Sequence, residues 1–343
     1  MRNEGRRASA SVAVWRRAAA SGARWHAAGT TASASTSPSR SDDGRGHERR
    51  IRFKPDDTLA LPGMAESAAW LSSPFAVAAA AIFGAIWGSF FNVCIARIPA
   101  GQSIVRPGSR CGACGAPVRA LDNVPVLSFL WLRGRCRACA APFSVRYPLV
   151  ELLGAALAAA LWWQCFALDP QGALGVRVAR FAYDFAFAGV LVVLSFIDLE
   201  TLLLPDAITL PAIAVFFAAG FGVHEVPWLA RLIGAAAGYL FVRLIADFYH
   251  FVLKREGLGL GDAKLLALIG VALGWKALPL VVFAGSIAGS HISIPVLLVT
   301  RRRHAGQSLR DVQVPFGPFL ALGALVHLFA GRAILALTGA AWL

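Results

Sequence analysis

A succession of long apolar runs fills the sequence beyond residue 70. Because a helix needs about 20 mostly apolar residues to cross a bilayer, each run predicts a membrane-spanning helix. We count eight runs, with approximate bounds at 75–96, 148–167, 181–198, 207–223, 228–249, 262–275, 278–299 and 315–338. The composition agrees, since 57% of the 343 residues are hydrophobic and only 15% are charged. The chain is therefore predicted to be an all-α polytopic membrane protein.

Arginine is concentrated in the loop between the first two predicted helices. Residues 97–147 contain eight arginines against a single acid, Asp122. Loops of this kind stay on the cytoplasmic side of a membrane, so the threading predicts that the loops 199–206, 250–261 and 300–314 face the cytoplasm as well. The net charge of +14 is then explained by topology, and we do not expect a nucleic-acid partner.

Residues 1–63 differ from the rest of the chain. They have no hydrophobic period and include a low-complexity stretch at 30–39, so we expect a disordered basic extension. The only methionines are Met1 and Met64, which suggests Met64 as the true initiator; an Arg-rich targeting peptide is the alternative. We divide the remainder into residues 64–147, a first helix with its loop, and residues 148–343, a seven-helix core.

Four cysteines in the Arg-rich loop form two Cys-x-x-Cys pairs, at Cys111 and Cys114 and at Cys136 and Cys139. This spacing is typical of a zinc ribbon, and four thiolates close the tetrahedral coordination of a structural zinc. A loop of this length with several prolines has too little apolar surface to fold unaided. Redox disulfides or unliganded thiols are the alternatives to zinc.

Two aspartates stand at the ends of apolar helices, where an acid is costly and suggests a function. Asp198 closes the third predicted helix, and Asp262 follows Gly257, Gly259 and Gly261 directly before the sixth. Peptide hydrolysis needs such a pair, because one carboxylate activates water while a protonated partner donates to the carbonyl oxygen. Glycines before Asp262 would let a substrate backbone approach.

Each acid also has a structural interpretation. Asp262 can be a helix N-cap, and Asp198 can simply mark the end of a helix. Asp206, next to Pro205, is interpreted as the cap of the following helix rather than a third catalytic acid. Asp184 is expected to be interfacial. A transporter would use paired acids as a proton relay, but the sequence has no internal repeat, and a zinc-ribbon adaptor would not need the acids at all.

Several motifs together resemble the bacterial type IV prepilin peptidases, also called leader peptidase/N-methyltransferases. The resemblance covers residue 64 to the C-terminus and includes the four-cysteine loop, the aspartates and their neighbours. Its motifs are GSFFNVCIARIP at 88–99, RYPLVE at 146–151, ID and LPD within 197–206, GLGLGD at 257–262 and PFGP at 315–318.

The resemblance implies an eight-helix enzyme of the bacterial inner membrane that cleaves prepilin and pseudopilin leaders after glycine, on the cytoplasmic side. It implies Asp198 and Asp262 as the catalytic pair. It also implies methylation of the new amino terminus from S-adenosylmethionine. Residues matching the amino-terminal motifs, which we expect to serve methyl transfer, are Gly88, Asn92, Arg97 and Glu151.

The residues alone do not lead to the methyltransferase. Without the resemblance, Gly88 and Asn92 would be interpreted as helix packing by a small residue and an interhelical hydrogen bond.

Overall fold

The structure is a computed structural model that describes residues 70–168, 172–254, 259–303 and 314–337. These residues belong to one unit, Leu59–Leu343. The predicted disordered extension at 1–63, the candidate initiator Met64 and Gly257 lie outside the described residues.

Eight long helices occupy the predicted positions within the described ranges. They are α1 (Pro74–Arg97), α2 (Arg146–Phe166), α3 (Leu174–Thr201), α4 (Asp206–Ala219), α5 (Trp228–Leu253), α6 (Leu260–Leu273), α7 (Leu278–Arg303) and α8 (Gly317–Leu337). By length and composition, α1, α2, α3, α5 and α7 are able to cross a membrane. The predicted all-helical, multi-spanning fold is confirmed, while full crossings by α4, α6 and α8 stay a prediction.

Local sequence signals explain where key helices begin and end. Ser73 caps α1 by accepting a hydrogen bond from the backbone N–H of Ala76 at 3.3 Å, and Pro74 occupies the first helical position. Leu202 ends α3 in the left-handed region with φ of 55°. Gly259 precedes α6 in an extended conformation. The end of α3 and the start of α6 position the two predicted catalytic aspartates.

Glycines allow α1 and α2 to approach backbone to backbone. A Cβ atom on Gly84 would lie 2.2 Å from the carbonyl oxygen of Gly154, and one on Gly88 would lie 2.6 Å from the Cα of Glu151. Contacts this close require small residues, as they do at many helix interfaces in membranes. Gly88 therefore contributes to packing between the two helices.

Helix α3 is shared by two hydrophobic clusters. One side places Phe181, Phe185 and Val192 against α1 and α2. The other places Phe187 and Leu191 in a cluster that includes α4, α6, α7 and α8. Since α3 ends at the level of Asp198, this shared packing fixes the position of the first aspartate.

Asp184 was expected near a helix end, and this part of the prediction was wrong. Helix α3 begins at Leu174 rather than near 181, so Asp184 lies well inside the helix and is 1% exposed. Its Oδ1 lies 2.8 Å from Nε2 of His224. The sequence pattern did not reveal this partner because His224 comes from a distant loop.

Candidate active site and metal centre

Asp198 lies in the last turn of α3 and is 5% exposed. Its Oδ2 accepts a hydrogen bond from the backbone N–H of Gly317 at 3.0 Å. Gly317 is the first residue of α8, where unpaired N–H groups favour a negative charge. The carboxylate is thus held between the end of one helix and the start of another.

Asp262 lies in the first turn of α6 and is half-buried. Its backbone N–H donates to the carbonyl of Gly259 at 3.1 Å. The start of α6 packs against the end of α3 and the start of α4, because Gly261 lies against Leu204 and Lys264 pairs with Asp206. The structure therefore brings together the two aspartates that the sequence analysis selected, although they are 64 positions apart.

Gly317 contributes to the aspartate site, and it was not predicted from the sequence. A Cβ atom at this position would lie 2.7 Å from Oδ2 of Asp198, so a larger residue would displace the carboxylate or α8. The signal was present as a glycine between Pro315 and Pro318 directly before an apolar helix. Its contact with Asp198 spans 119 positions, which the motif alone does not reveal.

The glycines before Asp262 have different environments. A Cβ atom on Gly259 would lie 3.8 Å from Oδ2 of Asp262, an ordinary contact. A Cβ atom on Gly261 would instead lie 3.0 Å from Cβ of Leu204. Gly261 is therefore explained by close packing against the connection between α3 and α4, whereas access for a substrate at Gly259 stays a prediction.

Neighbouring acids are engaged by basic side chains. Asp206 was interpreted as a helix cap, but Pro205 is the cap residue of α4 and no side chain caps it. The Asp206 carboxylate is 2.5 Å from Nζ of Lys264, which α6 presents from across the site. Glu200 likewise pairs with Arg146. These ion pairs distinguish Asp206 and Glu200 from the aspartate pair.

The four predicted zinc cysteines are brought together in two similar turns. In one, the N–H of Cys111 donates to Ala116 O and the N–H of Gly115 donates to Cys111 O, each at 2.9 Å. Cys136, Ala140 and Ala141 repeat this pattern in the second turn. The equivalent residues Gly115 and Ala140 have φ of 71° and 56°.

The sulfur atoms fit a metal. All four lie within 4.8 Å of one another, and those of Cys111 and Cys139 are 3.8 Å apart. Four thiolates at about 2.3 Å from a tetrahedral zinc have sulfurs separated by about 3.8 Å. Backbone N–H groups of Cys114 and Ala113 lower the pKa of the Cys111 thiol to about 6. The backbone N–H of Ala141 also lowers the pKa of the Cys139 thiol, but the neighbouring thiols and burial together raise it to about 12, so without a cation Cys111 ionises first and Cys139 stays protonated. All six cysteines are free, which disfavours the disulfide alternative.

A cavity of about 490 Å³ lies between α1, α2 and the four-cysteine loop. This volume is within the usual range for small-molecule sites. Three of the four residues that we expected to serve methyl transfer line it, namely Asn92, Arg97 and Glu151. Gly88 does not line the cavity and packs α1 against α2.

The lining residues have distinct contacts. Glu151 accepts a hydrogen bond from the N–H of Val126 at 2.7 Å, and Arg97 donates to Ser103 O at 3.0 Å, so both hold the loop. Asn92 donates through Nδ2 to Tyr147 O at 3.0 Å. Its Oδ1 is buried and has no hydrogen-bond partner among the described residues.

The fold and these sites define a polytopic membrane protein with a paired-aspartate site and a four-cysteine cluster. Residues 82–165 match the bacterial peptidase A24 N-terminal domain, and residues 185–294 match the type IV leader peptidase family. The chain therefore belongs to the family of prepilin leader peptidase/N-methyltransferases, as the sequence motifs predicted.

Curated proteins of that name show similarity over most of the chain. The relative from Burkholderia pseudomallei strain K96243 is 36% identical over 310 residues, covering 83% of this chain and 95% of the relative. The Aeromonas hydrophila relative is 37% identical, covering 74% and 90%, and the Neisseria gonorrhoeae relative is 32% identical, covering 76% and 93%. No solved structure gives a significant match.

Proposed function

We propose that this protein removes the leader peptides of type IV prepilins and pseudopilins by cutting after a glycine, and then methylates the new amino terminus. The substrate is a membrane-anchored helix with a basic leader, cut at the cytoplasmic face of the bacterial inner membrane. The carrying observation is the juxtaposition of Asp198 and Asp262 at the ends of α3 and α6.

The aspartate pair can activate water for peptide hydrolysis. Two neighbouring carboxyl groups share one proton because both cannot ionise at low cost. The ionised carboxylate takes a proton from water, whose oxygen attacks the scissile carbonyl carbon, while the protonated carboxyl donates to the carbonyl oxygen. Return of a proton to the leaving nitrogen then breaks the C–N bond and releases the leader.

Two backbone features support this chemistry. The N–H of Gly317 orients the Asp198 carboxylate, which reduces its freedom before the reaction. Gly259 has no side chain, and an added Cβ atom there would lie 3.8 Å from Oδ2 of Asp262, so a larger residue would stand beside the carboxylate where an extended substrate strand would bind. Lys264 is neutralised by Asp206, so its charge does not oppose a basic leader.

The four-cysteine cluster would hold a structural zinc. Cys111, Cys114, Cys136 and Cys139 would supply all four ligands, which leaves no open position for a catalytic water. Metal content of purified wild-type protein, compared with Cys136→Ser, tests this assignment: zinc is expected in the first and lost in the second. A cluster that binds no zinc in the wild type contradicts it.

The amino-terminal cavity is the best-supported place for the methyl donor. S-adenosylmethionine, when bound, supplies a methyl group to an amine. Asn92, Arg97 and Glu151 line the cavity, and the contacts of Arg97 and Glu151 with the loop would keep it closed over the bound donor.

The arginines of the loop support its cytoplasmic orientation. The helix ends that carry Asp198, Asp262 and Gly317 all border connections that would share that side.

The direct test incubates purified protein with a prepilin containing a glycine–phenylalanine junction and records the product masses. Wild type is expected to release the leader and to add one methyl group when S-adenosylmethionine is present. Asp198→Asn and Asp262→Asn should leave the prepilin intact, whereas the matched control Asp206→Asn should cleave it. Cleavage by either Asn variant at the wild-type rate would contradict the proposal.

A further inference from the structure

A short helix, Leu127–Trp131, presents large apolar side chains outward from the four-cysteine loop. Leu127, Leu130 and Trp131 are 64%, 66% and 83% exposed. Their spacing places them on one face of a helical turn. The opposite side is engaged by the protein, since Ser128 and Phe129 line the amino-terminal cavity. The helix therefore has an outer apolar face.

Contacts with α1 and α2 fix the position of this short helix along the axis of α2. Val126, which precedes it, donates its N–H to Glu151, and Glu151 also has a hydrogen bond to Ser89. Glu151 is five residues inside α2, which begins at Arg146, and at 1.5 Å per residue this is about 7.5 Å from the helix end.

This depth matches a bilayer interface. Helices α1 and α2 are both able to cross a membrane. The polar interface on each side of the hydrocarbon core is about 5–7 Å thick. A segment attached about 7.5 Å inside α2 therefore lies near the boundary between head groups and acyl chains.

The charges beside the short helix suit an anionic surface. Arg133 and Arg135 follow directly and are exposed. Gly134 lies between them, and Phe129 packs against it, which keeps this segment next to the helix. Trp and Leu beside Arg are the residues that interfacial membrane segments use.

We propose that the Leu127–Trp131 helix is a monotopic membrane contact within the polytopic chain. Its outer face enters the leaflet in which α1 ends and α2 begins. Leu127, Leu130 and Trp131 lie at the level of the upper acyl chains. Arg133 and Arg135 bind the phosphates of anionic lipids. The contact would hold the four-cysteine loop down against the membrane and over the amino-terminal cavity.

The test places the full-length protein in nanodiscs of phosphatidylglycerol and brominated phosphatidylcholine. The chain has ten tryptophans, so the signal of Trp131 is taken as the difference between wild type and Trp131→Phe. Bromine is expected to quench this component, and aqueous acrylamide is not. Quenching by acrylamide but not by bromine would overturn the proposal.

Protection from both quenchers would also overturn it, because a protein surface, either a second copy or a substrate, would then cover the helix. The role of the two arginines is tested with the double variant Arg133→Gln/Arg135→Gln. The Trp131 signal of this variant is the difference between its fluorescence and that of the same variant carrying Trp131→Phe. This variant should lose bromine quenching in discs with phosphatidylglycerol and match the wild type in discs of phosphatidylcholine alone. Equal quenching of both proteins in anionic discs would contradict the role of the two arginines.

Discussion

The two polar sites of the molecule are built in different ways. The carboxy-terminal site consists of helix ends, with Asp198 closing α3, Asp262 opening α6 and Gly317 opening α8. The amino-terminal site is a cavity between two closely packed helices and a folded loop. At the first site, the acids can be recognised in the sequence because they stand at the ends of apolar runs. At the second, Asn92, Arg97 and Glu151 each make a hydrogen bond that holds α2 or the loop in place.

This difference explains why one site can be inferred from residues and the other cannot. An acid at the end of an apolar helix is costly and needs a reason. Asn92 and Glu151 have structural explanations in helix packing and loop attachment, and only the cavity that they line suggests a ligand. If the two sites are separate, it should be possible to damage them independently.

The largest expected effect separates cleavage from methylation. Asp262→Asn should lower prepilin cleavage on the order of a thousandfold, because it removes one member of the acid–base pair. Supplied with pilin whose leader has already been removed, the same variant should methylate it at the wild-type rate. The measurement is product mass with each substrate. Loss of methylation on the pre-cleaved pilin would show that the sites are not separate.

The next effect concerns Gly317, which the sequence analysis missed. Gly317→Ala introduces a Cβ atom 2.7 Å from Oδ2 of Asp198. Displacing a reacting group by about 1 Å costs roughly a hundredfold, so cleavage should fall by this factor. Gly175→Ala is the matched control, because nothing lies within 4 Å of the added atom.

Methylation of pre-cleaved pilin is the second readout for Gly317→Ala and should not change. A parallel loss of both activities would indicate that the substitution disrupts folding rather than the position of Asp198.

A smaller effect tests the amino-terminal cavity. Asn92→Leu removes a polar side chain that lines the cavity and should lower methylation about tenfold, the usual cost of a lost hydrogen bond in a binding site, with cleavage unchanged. Gln164→Leu is a close control, since Gln164 also donates to a backbone carbonyl and has a buried, unpaired oxygen, but lies away from the cavity. Equal methylation by the two variants would show that Asn92 does not contribute to binding of the methyl donor.

The smallest effect concerns the second cysteine turn. Ala140 has φ of 56°, where the equivalent residue of the first turn is Gly115. Ala140→Gly should stabilise the loop by about 0.5–1 kcal/mol, because glycine adopts this conformation without steric cost. Ala141→Gly is the control and should not stabilise the loop. The measurement is resistance of the zinc-loaded loop to denaturant, and an equal response of the two variants would contradict the turn geometry.

The sequence predicts helices better than it predicts their partners. Apolar runs located the eight long helices but not the short helix Leu127–Trp131, and α3 begins seven residues before the predicted start at 181, which places Asp184 well inside the helix. Pairs such as Asp206 with Lys264 and Asp198 with Gly317 join segments 58 and 119 positions apart. Periodicity describes which face of a helix is apolar, but it does not specify which distant segment packs there.

The central claim is that Asp198 and Asp262 act as one unit, and a double-mutant cycle tests it most directly. Residual prepilin cleavage is measured for Asp198→Asn, Asp262→Asn and the double variant under single-turnover conditions. Members of a catalytic unit are strongly non-additive, so the double variant should cleave no more slowly than the slower single variant. Losses that multiply in the double variant would show two independent contributions and contradict the shared site.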